Sequence, residues 1–144
     1  MTRSQRIKKI VHLNENKERA AAKQFAAAQK ILNDYKEKLK QLENYKFEYT
    51  SLMKPGGAAQ TVTMIRERQA FILQLDEGIR MIKHQIEIHE TMNERERENW
   101  LKEKQQLDTM ENIFQRCHKT EQKIIALREQ HQLDELSLQR SLKN

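Results

Sequence analysis

Apolar residues recur along this chain in alternating steps of four and three. From Ile7 the track passes through Val11, Ala21, Phe25, Leu32, Tyr35, Leu39, Leu42, Tyr49 and Met53, and eleven of its fourteen positions are apolar. That spacing lays one apolar stripe along a helix, facing a second helix. It predicts a first helix over residues 4–53. A second track runs from Ile65 through Ile72, Leu75, Ile79, Ile82, Ile86, Trp100, Leu107, Met110 and Phe114 to Cys117. It predicts a second helix over residues 63–144, with Thr61 or Thr63 as its N-cap.

Between the tracks stands Lys54-Pro55-Gly56-Gly57. Proline removes a backbone donor and disfavours helix at the residue before it, and paired glycines adopt the left-handed geometry of a tight reversal. Residues 54–62 are therefore read as a turn. The predicted fold is all-α: one long antiparallel coiled-coil hairpin whose second helix overhangs the first.

Folding back about the glycine pair sets opposed residue numbers to sum to roughly 114 to 116. Asn14 and Glu18, where the first seam is polar, then face Trp100 and Glu96, next to the polar interval His89 to Glu96 of the second. Weak packing facing weak packing predicts a firmer half near the turn and a looser half beyond it. The unequal helix lengths leave an overhang over residues 114–144, which still carries Phe114, Ile124, Ile125, Leu127, Leu133, Leu136, Leu138 and Leu142. So much apolar surface calls for a partner or for self-association.

Composition narrows the function classes. One third of the 144 residues are charged, 37% are hydrophobic and 6% aromatic, and mean hydropathy is -0.96, which suits solvated helices better than a globule. Cys117 stands alone, so no intramolecular disulfide forms and a reducing, cytoplasmic setting is expected. No apolar run approaches the ~20 residues a membrane span needs. The formal charge of +6 is weighted to the amino terminus, where Arg3, Arg6, Lys8 and Lys9 precede the first acid, Glu15. That end is either a solvated helix terminus or a dock for an acidic surface; no zinc-finger, RNP or leucine-zipper basic-region pattern supports nucleic acid.

Catalytic, metal and cofactor chemistry find no footing. His12, His84, His89, His118 and His131 are scattered, and His84 and His89 miss the four-residue spacing that puts two ligands on one helical face. Cys117 sits on the seam with no base and orienting group around it. The informative cluster is apolar. Phe71, Leu75, Gly78 and Ile82 form one helical stripe, with Phe71 beside the seam and expected level with Tyr45, flanked by Leu42 and Tyr49. It reads as extra core in a wide seam or as an aromatic docking patch.

The run Leu42-Glu43-Asn44-Tyr45-Lys46-Phe47-Glu48-Tyr49, followed by Phe71-Ile72-Leu73-Gln74-Leu75 and Gly78-Ile79, resembles FliJ, the coiled-coil protein of the bacterial flagellar type III export apparatus. Trp100 with Lys102 and Lys104, and Glu129-Gln130 with Leu133-Asp134-Glu135, agree with it. The Pro-Gly-Gly-Ala-Ala turn and Ile82 depart from the pattern. The resemblance implies a non-enzymatic, central-stalk-like coiled coil, cytoplasmic and peripheral at the base of the export apparatus. It implies contact of Leu42, Tyr45, Tyr49, Phe71, Leu75 and Gly78 with the export gate protein (FlhA-like). Arg3, Arg6, Lys8, Gln130, Leu133, Asp134 and Glu135 would meet the export ATPase ring (FliI-like). Flagellar substrate chaperones are further implied partners; nucleic acid, membrane insertion, cofactors and metals are not. The alternative is a generic cytoplasmic coiled-coil chaperone or scaffold not tied to flagella.

Overall fold

The computed structural model describes residues 1–53 and 61–143. The expected turn at Lys54-Pro55-Gly56-Gly57 lies outside them. Two long helices, α1 (Arg3–Leu52) and α2 (Val62–Lys143), pack against each other, and the fold is an all-α helical hairpin. Neither is long and apolar enough over any stretch of the described residues to cross a membrane.

Local chemistry starts each helix. Thr2 and Gln5 form a capping box: the Gln5 N–H donates to Thr2 Oγ1 (3.3 Å) and the Thr2 N–H donates to Gln5 Oε1 (3.0 Å). Thr61 caps α2, accepting the Met64 N–H on its Oγ1 (3.2 Å) and the Ile65 N–H on its carbonyl (3.1 Å).

The chain divides into two compact units. Unit 1 joins Met1–Ala21 to Trp100–Asn144, and unit 2 is Ala22–Asn99. In unit 1, Ile7, Val11 and Ala21 are buried together with two polar residues, Ser4 and Asn14. Ser4 is buried because α2 captures it: its N–H donates to Glu121 Oε1 (3.0 Å) and its hydroxyl to Oε2. The first turn of α1 contains no acidic residue of its own, so Glu121 brings the negative charge that a helix N-terminus favours. Farther along the same unit, Trp100 Nε1 donates to Glu18 Oε1 (2.9 Å). Two polar pairs of this unit, Ser4 with Glu121 and Glu18 with Trp100, are thus hydrogen-bonded across the helices, and burial is not confined to the stretch nearest the turn.

In unit 2 the buried residues are Leu32, Leu75, Ile79 and Ile86. The Tyr49 and Phe71 rings meet at 4.6 Å, the Tyr35 and His89 rings stack at 4.9 Å, and Lys46 Nζ lies 2.6 Å from Asp76 Oδ1. That ion pair is half exposed and contributes on the order of 0–1 kcal/mol.

These pairings correct the register. Trp100 meets Glu18, where counting from the glycine pair puts Asn14, and Phe71 meets Tyr49, where it puts Tyr45. Both displacements are about one helical turn. The count assumes that pairing begins at once on both sides of the turn. Instead the end of α1 reaches α2 at Arg68, whose guanidinium donates to the Leu52 carbonyl, so the first residues of α2 precede that contact. The overhang is shortened accordingly. Phe114 and Cys117 belong to the paired region, and continuous exposure begins at Gln122 and runs to Lys143.

Glu121 makes the paired amino end of α1 sensitive to acid. Its hydrogen bonds from the Ser4 hydroxyl and backbone N–H, followed by smaller effects of Cys117 and His118, hold its carboxyl below the ordinary 4.5. A carboxylate with a lowered folded-state value stabilises above its unfolded value and loses that contribution as pH falls through the lowered one. Thermal unfolding of the full chain should therefore show a midpoint that drops below about pH 4.5, and Glu121→Gln should flatten that part of the profile. Identical profiles for the two proteins would contradict the cap.

Candidate functional site

The aromatic cluster of unit 2 is built from both helices. Seven-residue steps along α1 place Leu42 and Tyr49 in the seam and Tyr45 beside it, and on α2 they place Phe71 and Gly78 beside Leu75. Leu75 is 7% exposed and lies under the cluster, whereas Tyr45 is 53% exposed and Phe71 38%. Tyr49 is half-buried and leans a tilted ring on Phe71. The surface so formed is apolar, aromatic and held from beneath, which is the composition of a protein-docking hot spot. Leu52, Met64, Met81 and Phe47 add further exposed apolar side chains in this unit.

Gly78 has room for a side chain. A Cβ built there would lie 3.6 Å from Leu42 Cδ1, an ordinary van der Waals contact. Packing between the two helices thus does not require glycine, although helix propensity disfavours it by roughly 1 kcal/mol relative to alanine.

The second group of expected contact residues lies in unit 1 and is not brought together. Arg3, Arg6 and Lys8 are exposed on the first turns of α1. The amino end of α1 is fixed at Glu121, and Gln130, Leu133, Asp134 and Glu135 follow farther along α2, beyond that contact and exposed. Within this stretch the described ion pair is His131 Nε2 with Glu135 Oε1, at 3.2 Å and well exposed. Both sets are exposed on unit 1, Arg3, Arg6 and Lys8 on the first turns of α1 and Gln130 to Glu135 beyond Glu121 on α2. Cys117 is half-buried, its Sγ 3.8 Å from Glu121 Oε1, so the thiol belongs to the Ser4 contact.

Sequence reasoning missed the Ser4–Glu121 and Trp100–Glu18 pairs. The signal was present in the periodicity. One further step back from Ile7 is Ser4, and one further step on from Cys117 is Glu121, which puts both polar residues on the seam.

Replacing Gly78 with alanine should raise stability by about 1 kcal/mol, read as a higher urea midpoint with unchanged slope. A lower midpoint would mean that the helices need the bare backbone after all.

No curated protein and no solved structure matches the chain. The family described as Flagellar FliJ protein matches residues 3–144, which takes in both helices and both surfaces. With a two-helix hairpin and a match over essentially the whole chain, this flagellar export-related protein belongs to the FliJ family.

Proposed function

We propose that this protein is a non-enzymatic, central-stalk-like coiled coil that links the export ATPase ring to the export gate and assists flagellar substrate chaperones. It would act in the cytoplasm, peripherally at the base of the export apparatus. Membership of the FliJ family supports the setting. The observation that carries the linking role is the separation of surfaces: the aromatic cluster with Tyr45 and Phe71 lies in unit 2, while the basic amino end and the exposed end of α2 lie in unit 1. Two docking surfaces on different units let one chain hold two partners at once.

In this reading Tyr45, Phe71 and Gly78 meet the gate protein directly, Leu42 and Tyr49 shape the floor, and Leu75 supports it from the core. Arg3, Arg6 and Lys8, with Gln130, Leu133, Asp134 and Glu135, meet the ATPase ring. The mechanism is mechanical coupling and asks no chemistry of any side chain. Exposed apolar residues elsewhere on α2, such as Ile88 and Met92, offer surface to chaperones.

Two variants test the division. Tyr45→Ala/Phe71→Ala should weaken binding to the cytoplasmic part of the gate protein by about 30-fold or more, the hot-spot range, while leaving stimulation of the export ATPase intact. A chain truncated after Ile125 keeps the Ser4–Glu121 contact and should do the reverse. Full gate binding by the double alanine variant, or full ATPase stimulation by the truncated chain, would contradict the assignment and favour a generic coiled-coil scaffold.

A further inference from the structure

One face of unit 1 carries basic residues on both helices, flanking exposed isoleucine and leucine side chains and two hollows. Along α1, steps of three and four place Arg3, Arg6, Ile10, Leu13 and Lys17 on one side of the seam. Along α2 the corresponding side carries Lys102, Gln106, Thr109, Ile113, Arg116, Thr120 and Lys123. The structure shows that these two sides adjoin. Arg3, Ile7, Ile113 and Arg116 line one hollow of about 530 Å³, and Asn14, Lys102, Gln106 and Met110 line another of about 510 Å³.

Six cations therefore share this face with no acidic residue at the same register positions. All six are exposed, and the ion pairs among the described residues involve none of them. Glu121, which borders the first hollow, already holds Ser4. Ile10, Leu13 and Ile113 are 46%, 55% and 39% exposed, with buried Ile7 beside them. The other side of the seam is mixed in charge, carrying Glu15 and Glu111 among Lys8 and Lys104. One-sided charge beside uncovered isoleucine and leucine is not what a merely solvated helix pair requires.

We infer that this face docks an acidic amphipathic helix of another protein, which lies along it as a third strand of coiled coil. Its apolar stripe would cover Ile10, Leu13 and Ile113, and acidic residues flanking that stripe would meet Arg3, Arg6 and Lys17 on one rim and Lys102, Arg116 and Lys123 on the other. The shape favours a helix over a lipid surface. Ile113 borders a hollow flanked by Arg3 of α1 and Arg116 of α2, a recess that side chains of a helix fill and a flat bilayer does not. The face shares Arg3 and Arg6 with the ring contacts proposed above but does not require that reading, because Lys17 and Lys123 lie outside both sets. Lys102 and Arg116 belong to neither set of contacts assigned there.

The probe is a pair of three-heptad peptides with leucine at the seam positions and either glutamate or lysine at the flanking ones, titrated against the full chain. The glutamate peptide should bind, with affinity falling as salt rises, and should shift the methyl NMR signals of Ile10, Leu13 and Ile113. Lys102→Glu/Arg116→Glu should weaken it at least about 10-fold while circular dichroism and ATPase stimulation are retained. Lys17→Glu, a single exposed change, serves if the double variant does not fold. Equal binding of both peptides, no binding of the glutamate peptide, or binding unaffected by these reversals would overturn the proposal. Two other outcomes would also overturn it. Capture of phosphatidylglycerol vesicles with no peptide binding would make the face a lipid surface. A concentration-dependent dimer that the reversals dissociate would make the occupant a second copy of this chain.

Discussion

Two helices that meet only each other cannot enclose a side chain completely, and everything in this protein is arranged under that constraint. Among the described residues the most buried are Ser4 and Ala21, each still 4% exposed, and no large side chain is fully enclosed. Hydrophobic burial per residue is correspondingly modest, at roughly 25 cal/mol for each Å² removed from water. Register then rests on a few directional contacts placed along the seam. Ser4 with Glu121 and Glu18 with Trp100 align unit 1, and Tyr49 with Phe71 and Lys46 with Asp76 align unit 2.

The same thin seam explains why so much apolar surface is available for partners. A helix in a globule spends its whole apolar face on neighbours, whereas here only a narrow stripe of each helix is covered. Residues one position off the seam, such as Tyr45, Phe71, Ile10 and Ile113, remain outside it. Their surroundings then differ by unit. In unit 2 Tyr45 and Phe71 put aromatic rings beside buried Leu75, and in unit 1 Ile10 and Ile113 are aliphatic and rimmed by cations. Chemically distinct surfaces thus arise from one repeating pattern by changing only the residues beside the seam.

The two helices and their antiparallel packing were legible in the sequence, because steps of four and three persist along both tracks and Thr61 is a recognisable cap. The register was not. Counting from Gly56 and Gly57 centres the pairing on residues outside the described ones and does not say where each helix first meets the other, which displaces the register by about one helical turn. The same displacement puts Phe71 opposite Tyr45 in the count, whereas the ring that meets Phe71 across the helices is that of Tyr49. At the far end, Ser4 and Glu121 escaped notice because a search for apolar periodicity skips polar residues, even when a serine and a carboxylate occupy seam positions and satisfy each other. Arg3 and Gln130 were grouped through family resemblance, and the structure separates them because α1 is anchored at Glu121.

Since both surfaces take their shape from the register, short-reach thiol cross-linking between the helices is the most direct measurement. In a Cys117→Ser background, Leu42→Cys paired with Gly78→Cys should cross-link rapidly, because Leu42 Cδ1 lies 3.6 Å from the Cβ position of residue 78. Leu42→Cys paired with Ile72→Cys, the partner expected from a hairpin centred on the glycine pair, should link slowly or not at all. Preferential linkage of the second pair would contradict the register and with it the placement of both docking surfaces.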